Sequence, residues 1–215
     1  MKKTFPLLLV ILLMIAGCSN EEKIELFNGT NLDNWKLFVP DSDDPSSVFS
    51  VADEKIIVSG IPNGYMRTKE SFSSYDLHVE WRWTDEPVNS GVLLHVTGEE
   101  LIWPNCIEAQ LQAGNAGDFV LIGKGVGISI NNSAHVIESE ENRYAVLAKM
   151  NASSENEPGE WNTYEISVRE SEITLEVNGV VQNIGTNPTK TGGNICIQSE
   201  GAPMEFRNIY LIPKE

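Results

Sequence analysis

The segment Tyr75-Asp76-Leu77-His78-Val79-Glu80-Trp81-Arg82-Trp83 alternates apolar and polar side chains along its whole length. Successive side chains of a β-strand point to opposite faces of the sheet, so this segment predicts a strand with one buried face and one open face. The open face carries His78, Glu80 and Arg82. Ionisable groups held in a row on a stiff strand can bind a polar ligand, and we therefore look for function on such a face.

A second segment, Ile107-Glu108-Ala109-Gln110-Leu111-Gln112, has the same alternation. Its apolar side chains are expected to face the core, which leaves Glu108, Gln110 and Gln112 on the open face. Carboxylate and amide groups in this arrangement can bind a polar ligand and can also react with it. The two segments together predict a sheet with a polar working surface.

Short β-like runs recur along the chain between turn signals such as Asn28-Gly29, Asn178-Gly179 and Gly192-Gly193. Many short strands with frequent turns are typical of an all-β sandwich or barrel. The Asn-Gly pair at 178–179 favours a two-residue hairpin. Residues 113–160 are the least regular stretch, and we expect an insertion there that borders a site. The predicted strands are 24–27, 48–52, 55–59, 64–69, 75–84, 91–97, 105–112, 119–123, 127–130, 144–149, 163–169, 172–178, 194–199 and 204–212.

The N-terminus has the features of a secretory signal, because Lys2 and Lys3 precede an apolar run over residues 5–15. This run is shorter than the roughly 20 residues that span a bilayer, and we predict a signal peptide over residues 1–17. Ile15-Ala16-Gly17-Cys18 resembles a bacterial lipobox, which implies a lipid on Cys18, a short tether over 18–23 and one domain over 24–215. Ser19-Asn20-Glu21-Glu22 resembles the surface signal of Bacteroidetes lipoproteins. We expect a cell-envelope lipoprotein held in the outer membrane by this anchor, with surface and periplasmic orientations both open.

The composition limits the classes of partner. The chain has a net charge of −16, whereas phosphate binding needs clustered Lys and Arg, so nucleic acid is excluded as a partner. The sequence contains no CxxC or HExxH motif that would indicate a metal site. Cys106 and Cys196 follow Cys18, and the sequence leaves open whether they form a disulfide.

Five groups of motifs occur in a fixed order: Glu25-Leu26-Phe27-Asn28-Gly29 with Trp35, Asn89-Ser90-Gly91, Ile107-Glu108-Ala109-Gln110-Leu111, Gly159-Glu160-Trp161-Asn162-Thr163-Tyr164 with Val177-Asn178-Gly179, and Ile197-Gln198-Ser199-Glu200-Gly201 with Phe206-Arg207-Asn208-Ile209. Together they resemble the motifs of the 3-keto-disaccharide hydrolase domain family, over residues 24–213. The resemblance implies a concanavalin A-like jelly roll of two antiparallel sheets, with the concave sheet facing a carbohydrate. Two departures border the implied site: Glu200 stands where many members have histidine, and Ile107 replaces the usual aromatic residue.

Laminarin-cleaving jelly rolls carry several acidic residues on one strand, two positions apart. Their retaining mechanism needs two carboxyl groups about 5–5.5 Å apart. In this chain the positions that follow Glu108 on the same face are Gln110 and Gln112. An amide can neither attack as a carboxylate nor supply a proton well at neutral pH, so the same-strand carboxylate pair is absent.

A 3-keto sugar, the substrate that the resemblance implies, needs other machinery. The ketone acidifies the hydrogen on C2, so one general base can remove it and the group on C1 can then leave through an enolate. The candidate bases are Glu108, Glu80 and Glu200. The enolate oxygen could be met by Arg82, by His95 or by a bound divalent metal, although no cofactor is evident in the sequence. Gln110 and Gln198 could hold sugar hydroxyls, and Trp103 could stack on a sugar ring.

Two functions are compatible with these residues. The first is a glycoside hydrolase or lyase that acts on 3-keto-glucosides or 3-keto-disaccharides by base-assisted elimination or hydrolysis on the concave sheet. The alternative is a non-catalytic, lectin-like surface lipoprotein of the same fold. Convergence of Glu80, Arg82, His95 and Glu200 on Glu108 would favour the enzyme. Dispersal of these residues, with aromatic side chains lining the cleft, would favour binding alone.

Overall fold

The computed structural model describes residues 22–214, so the predicted signal peptide and lipidation site at Cys18 lie outside the described residues. Two antiparallel sheets form the structure, and they confirm the predicted all-β sandwich. A single turn of 3-10 helix, Pro45–Ser47, is the helical element within this range. No helix of residues 22–214 is long and apolar enough to cross a membrane.

One sheet has ten strands and the other has seven, and every pair of neighbouring strands is antiparallel. In spatial order the ten-stranded sheet contains β11 (Ser133–Val136), β10 (Gly127–Ile130), β15 (Val180–Thr186), β14 (Glu172–Val177), β13 (Asn162–Val168), β6 (Tyr75–Trp83), β17 (Met204–Pro213), β4 (Lys55–Val58) and β3 (Phe49–Ala52), with β1 (Ile24–Glu25) paired to β17. The seven-stranded sheet contains β12 (Tyr144–Leu147), β9 (Phe119–Ile122), β8 (Asn105–Gln110), β7 (Gly91–Thr97), β16 (Asn194–Ser199), β5 (Gly64–Thr68) and β2 (Trp35–Phe38).

The core lies between the two sheets, and the alternation of β6 and β8 explains how it forms. The apolar side of β6, which includes Trp81 and Trp83, is buried in the same hydrophobic cluster as Ile107 and Ala109 of β8. The indole rings of Trp81 and Trp83 meet edge to face with centroids 6.1 Å apart. Each large aromatic side chain removes on the order of 150–250 Å² from water, so these residues account for much of the stabilisation of the sandwich.

The hairpin predicted at Asn178-Gly179 is confirmed, and β15 is its return strand. Both turn residues have positive φ (49° and 79°), as a tight primed turn requires. Two other strands were not predicted. β2 and β11 are four-residue strands at the edges of their sheets. An edge strand of this length has too few positions for a period of two to stand out in the sequence. Because β11 lies within residues 113–160, this stretch is more regular than expected.

The two polar faces predicted from sequence point in opposite directions, and the expectation of one shared working surface is wrong. β6 belongs to the ten-stranded sheet and β8 to the seven-stranded sheet. Because both strands turn their apolar sides to the common core, Glu80 and Glu108 leave the sandwich on opposite outer faces. Stacked sheets are about 10 Å apart at the backbone, so these two carboxyl groups cannot act on one sugar.

Cys106 and Cys196 are both buried free thiols. They lie on β8 and β16, and β7 runs between these strands. Two strand spacings amount to about 9–10 Å, whereas a disulfide needs Cα atoms within roughly 7 Å. The sheet therefore keeps the two thiols apart.

Candidate functional site

The outer face of the seven-stranded sheet has a polar centre on three neighbouring strands, β8, β7 and β16. Glu108 and Gln110 lie on β8, in register with Leu93 and Gly91 of β7. Gln198 lies on the other side of β7, on β16. These side chains come from separate parts of the sequence, and the sheet brings them together.

Gly91 leaves the space in which two of these polar groups meet. A Cβ atom built on Gly91 would collide with Oε1 of Glu108 and would lie 2.5 Å from Oε1 of Gln198. The carboxyl and the amide therefore lie directly over the glycine backbone. Any side chain at position 91 would compete with them for this volume.

The Glu108 carboxyl is buried among groups that do not neutralise it. Its side chain is 3% exposed, and Oε1 has no hydrogen-bond partner among residues 22–214. Burial raises the pKa of Glu108 well above its ordinary value, and the charge of Glu200 raises it further. Burial therefore favours the protonated form of Glu108.

Glu200 follows β16 directly and shares the site with Glu108. Isolated β-bridges join it and Gly201 to Asn89 on the segment that leads into β7. Burial raises the pKa of Glu200, but a hydrogen bond from Asn89 lowers it and so favours the charged form. Glu108 is the more strongly shifted of the two, so Glu200 is the carboxyl that ionises first.

The amides beside the carboxyl groups are available to a ligand. Oε1 of Gln110 accepts hydrogen bonds from the backbone N–H groups of Leu111 (3.0 Å) and Gln112 (3.1 Å), so its NH₂ group is the part that can donate elsewhere. Gln198 is 1% exposed, and both its Oε1 and its Nε2 lack partners in the described part of the chain. Buried amides normally find hydrogen bonds, so Gln198 is suited to a polar ligand.

Glu108, Glu200 and Gln110 line a cavity of about 380 Å³, which is the size of a small-molecule site. Arg143, Tyr144 and Val146 were not predicted as site residues, because their segment belongs to the irregular part of the sequence. The guanidinium Nη2 of Arg143 donates to Oδ1 of Asn105 (3.2 Å) and to the carbonyl of Trp103 (3.5 Å). The polar lining residues are Asn89, Glu108, Gln110, Gln112 and Glu200, and the others are Trp103, Val120, Ile122, Arg143, Tyr144 and Val146.

The comparisons with known proteins agree with this arrangement. A model of the 3-keto-alpha-glucoside-1,2-lyase-like domain family matches residues 22–212. The chain belongs to this family. No curated protein matches the chain.

Solved structures show the same jelly-roll fold at low sequence identity. A protein from Parabacteroides distasonis that is provisionally assigned as a glycosyl hydrolase has a TM-score of 0.65 at 18% identity, over 90% of this chain and 94% of its own. The β-glucanase of Bacillus licheniformis has a TM-score of 0.59 at 13% identity, over 89% and 97%. The carbohydrate-binding module CBM66 of Bacillus subtilis has a TM-score of 0.54 at 9% identity, over 84% and 96%. Family and fold together indicate a carbohydrate-active jelly roll.

In this lyase-like domain, several predicted site residues are brought together. Glu108, Glu200, Gln110 and Trp103 line the cavity, and Gln198 lies against Glu108 at Gly91. Cys196, Gln198 and Glu200 alternate with the core residues Ile195 and Ile197, which fits this placement on the outer face. Their catalytic or binding roles stay predictions.

Glu80 and Arg82 do not belong to this site, which corrects the expected convergence. Glu80 accepts hydrogen bonds from Arg207 Nε (2.5 Å) and Asn208 Nδ2 (2.6 Å) on the outer face of the ten-stranded sheet. Arg82 donates to Glu205 through Nε (2.7 Å). Burial raises the pKa of Glu80, but these partners outweigh it and the net shift is downward. These partners hold Glu80 in its charged form, so Glu80 belongs to a structural ion pair and is a weak base.

His95 is also removed from the site. It lies at a β-bulge with φ of +54°, where the register of β7 shifts and its side chain leaves the outer face. Its ring meets the ring of the core residue Tyr75 edge to face at 5.9 Å, and its Nδ1 lies 2.8 Å from the carbonyl of Lys190, to which it donates. Burial lowers the pKa of His95, so it is a neutral packing residue.

No group of three or more His, Cys, Asp or Glu side chains within residues 22–214 is arranged to hold a metal ion.

The outer face of the ten-stranded sheet carries a pH-sensitive contact. His78 Nδ1 lies 2.5 Å from Oε1 of Glu165, its cross-strand neighbour, and His78 Nε2 lies 3.6 Å from Glu80. The Glu165 hydrogen bond raises the pKa of His78 above 6.5, burial opposes the rise, and Glu80 adds to it. A raised folded-state pKa gives stability that is complete below about pH 6.5 and is lost as the pH rises through the folded value.

We expect His78→Gln to lower the free energy of unfolding at pH 6 by less than about 1 kcal/mol, because Glu165 is half-exposed and screened. The loss should shrink by pH 9, where His78 is neutral in both states. Urea denaturation at the two pH values measures this, with His135→Gln on the edge strand β11 as the control. A loss of equal size at both pH values would show that the ring acts by packing on Tyr210 and not by its charge.

Proposed function

We propose that the protein cleaves the glycosidic bond of 3-keto-glucosides by elimination in the cavity that contains Glu108 and Glu200. The observation that supports this is the meeting of two carboxyl groups in unlike surroundings. Glu108 is buried, which favours its protonated form, whereas Glu200 is partly exposed and ionises first. Such a pair supplies one general acid and one general base from identical side chains.

The steps follow from the chemistry of the 3-ketone. The Glu200 carboxylate takes the acidified hydrogen from C2, and the electron pair forms an enolate with the C3 carbonyl. As the ketone re-forms, a C1–C2 double bond appears and the C1–O bond breaks. Glu108 gives its proton to the departing oxygen. The products are a 1,2-unsaturated 3-keto sugar and a free alcohol, and later addition of water at C1 would give the free keto sugar.

This scheme selects among the three predicted bases. Glu80 is on the opposite face of the sandwich, and burial favours the protonated form of Glu108 more strongly than that of Glu200, which leaves Glu200 as the base. The NH₂ groups of Gln110 and Gln198 take the place of Arg82 and His95 as donors to the enolate oxygen. Donors that are already oriented by the protein stabilise such a developing charge without further reorganisation.

We expect the purified protein to release alcohol or sugar from 3-keto-trehalose, 3-keto-lactose and aryl 3-keto-glucosides, and from none of the matching unoxidised sugars. The ketone is needed because it alone acidifies C2. Mass spectrometry of the products measures this, and detection of the 1,2-unsaturated 3-keto sugar identifies elimination, since its later hydration gives the same sugar as hydrolysis. Equal release from the unoxidised sugars would contradict the mechanism.

A lectin-like function is supported by two observations: Glu80, Arg82 and His95 lie away from Glu108, and two aromatic side chains stand at the cavity mouth. Trp103 and Tyr144 are 37% and 72% exposed, and exposed aromatic rings are suited to packing on a sugar. Saturable binding of both keto and unoxidised glycans in calorimetry, with every ligand recovered unchanged, would favour this alternative over the enzyme.

A further inference from the structure

The cavity has two unlike sides. Toward β16 it is lined by Glu200 and Asn89, while Gln110 ends β8 and Gln112 follows it; these side chains offer hydrogen bonds. Toward the sheet edge it is lined by Trp103, Val120, Ile122, Tyr144 and Val146. We call these five residues the apolar wall. Glu108 stands at the boundary, because it is in register with Val120 of β9 on one side and with Leu93 of β7 on the other.

The apolar wall is built by two neighbouring strands at the edge of the seven-stranded sheet. Tyr144 pairs with Ile122, and Val146 pairs with Val120, so four side chains form a block on the outer face. Alternate residues of β12, Ala145 and Leu147, pack against the core and fix its orientation. Val120 and Ile122 are each 5% exposed, whereas Tyr144 and Val146 remain largely open to solvent.

An open apolar block on an edge strand is an unusual feature of a soluble sheet. Edge strands usually carry charged residues or proline, which discourage unwanted association. A contiguous apolar surface beside a polar cavity is typical of a binding site for a ligand with an apolar part. The block is continuous with the part of the cavity that contains the two carboxyl groups. The apolar part of the ligand therefore belongs to the same molecule that reacts at those groups.

The strand order gives the ligand a direction. The sequence of strands β16, β7, β8, β9 and β12 places Glu200 at one end, Glu108 in the middle and the apolar wall at the other end. In the proposed elimination Glu200 acts on the sugar carbon C2 and Glu108 acts on the leaving oxygen. The sugar ring therefore lies toward β16, and the leaving group extends past Glu108 over β9 and β12. Two strand spacings, about 10 Å, accommodate a group with one or two rings.

Arg143 is the charged residue beside the apolar wall, and its Nη2 is already bonded to Asn105 and to the Trp103 carbonyl. Its Nε lies 3.3 Å from Glu140 in an ion pair, without a hydrogen bond. A sugar as leaving group would bring several hydroxyls against valine and isoleucine side chains, which cannot satisfy them. A buried hydroxyl without a partner costs binding energy, whereas an apolar ring gains it.

We infer that the leaving-group side of this cavity takes an apolar, ring-bearing alcohol, so that the substrates are 3-keto-glucosides of such alcohols in preference to 3-keto-disaccharides. The inference rests on the proposed function for the orientation of the sugar. The existence of the apolar subsite itself rests only on the residues of β9, β12 and Trp103.

The test compares 2-phenylethyl 3-keto-α-glucoside with 3-keto-trehalose. The anomeric hydroxyl of the departing glucose is more acidic than 2-phenylethanol and leaves more readily, so a preference for the phenylethyl compound cannot come from leaving-group acidity. We expect kcat/KM to be at least about 10-fold higher for the phenylethyl compound, in line with the discrimination that apolar pockets achieve. Val146→Asn should remove most of this preference. Val136→Asn is the matched control, because Val136 is also a half-exposed valine on an edge strand, β11 of the other sheet. Equal values for the two substrates, or a preference for 3-keto-trehalose, would overturn the inference.

A binding measurement separates failure of the subsite from failure of the proposed function. Calorimetry with unoxidised 2-phenylethyl glucoside and with trehalose needs no turnover. If no keto sugar is cleaved, tighter binding of the phenylethyl compound that is lost in Val146→Asn still supports the subsite and removes only the catalytic proposal. Absence of that difference in the unaltered protein overturns the subsite whatever the activity.

Discussion

Glu200→Gln is expected to reduce cleavage of every 3-keto-glucoside by about 10²–10⁴-fold, the usual contribution of a general base. The loss should be the same for a sugar leaving group and for a nitrophenyl leaving group, because removal of the C2 hydrogen precedes departure of either. Glu108→Gln should behave differently. A sugar alcohol needs a proton to leave, whereas nitrophenolate leaves as a stable anion, so this variant should lose activity mainly on the sugar substrate.

Initial rates on 3-keto-trehalose and nitrophenyl 3-keto-glucoside measure both effects. The pH profile gives a second readout, since the rate should fall in acid as Glu200 gains a proton and fall at higher pH as Glu108 loses its proton. The second fall should appear on 3-keto-trehalose, which needs the proton, and be absent on the nitrophenyl substrate, which does not; Glu108→Gln should remove it from the activity that remains on 3-keto-trehalose. Thermal melts check that both variants fold, which is expected because each substitution replaces a carboxyl by a neutral group of the same shape. An equal loss of activity on both substrates in Glu108→Gln, with Glu200→Gln fully active, would make Glu108 the base.

Gly91→Ala is expected to reduce kcat/KM by about 100-fold or more while leaving the protein folded. The new methyl group would collide with Oε1 of Glu108 and come within 2.7 Å of its Cδ. These atoms are the ends of flexible side chains, so the carboxyl and the Gln198 amide can move away without disturbing the sheet. A displacement of about 1 Å at a reacting group is enough to cost on the order of 10²-fold.

The matched control for this variant is Gly192→Ala. The nearest atoms to a Cβ at Gly192, apart from its chain neighbours, would be the Phe72 carbonyl oxygen and the Ser73 Cβ at 3.6 Å, an ordinary contact. Circular dichroism and thermal melts should show both variants folded, and kinetics on a 3-keto-glucoside should show the loss in Gly91→Ala alone. Full activity in Gly91→Ala would mean that the carboxyl position over this glycine is unimportant for the reaction.

The fold could be predicted largely from local patterns. The alternation of β6 and β8 identifies which residues are buried, and Asn178-Gly179 identifies a hairpin, because both depend on the geometry of a few adjacent residues. β2 and β11 were missed, because short edge strands carry little pattern. The His95 bulge was missed for a related reason: an extra residue reverses the parity of a strand locally, and the sequence shows no mark of it.

The site was predictable only in part. Glu108 and Gln110 were found because they share one face of one strand, and Gln198 and Glu200 because they share parity with each other. Arg143, Tyr144 and Val146 had no comparable signal, since β12 is separated from β8 in the sequence by two strands of the other sheet. The grouping of these residues with Glu108 depends on the order of strands in the sheet.

The sequence by itself determined that Tyr75–Trp83 and the Glu108 segment are strands with one apolar and one polar side, since a period of two is a property of the extended backbone. Only the tertiary structure decided that the two strands belong to different sheets. Both strands turn their apolar sides to one core, which sends their polar sides to opposite surfaces of the sandwich. Glu80 therefore became part of an ion-pair network, and Glu108 met Glu200. The placement of strands in sheets is set by long-range burial of apolar surface, which no local pattern encodes.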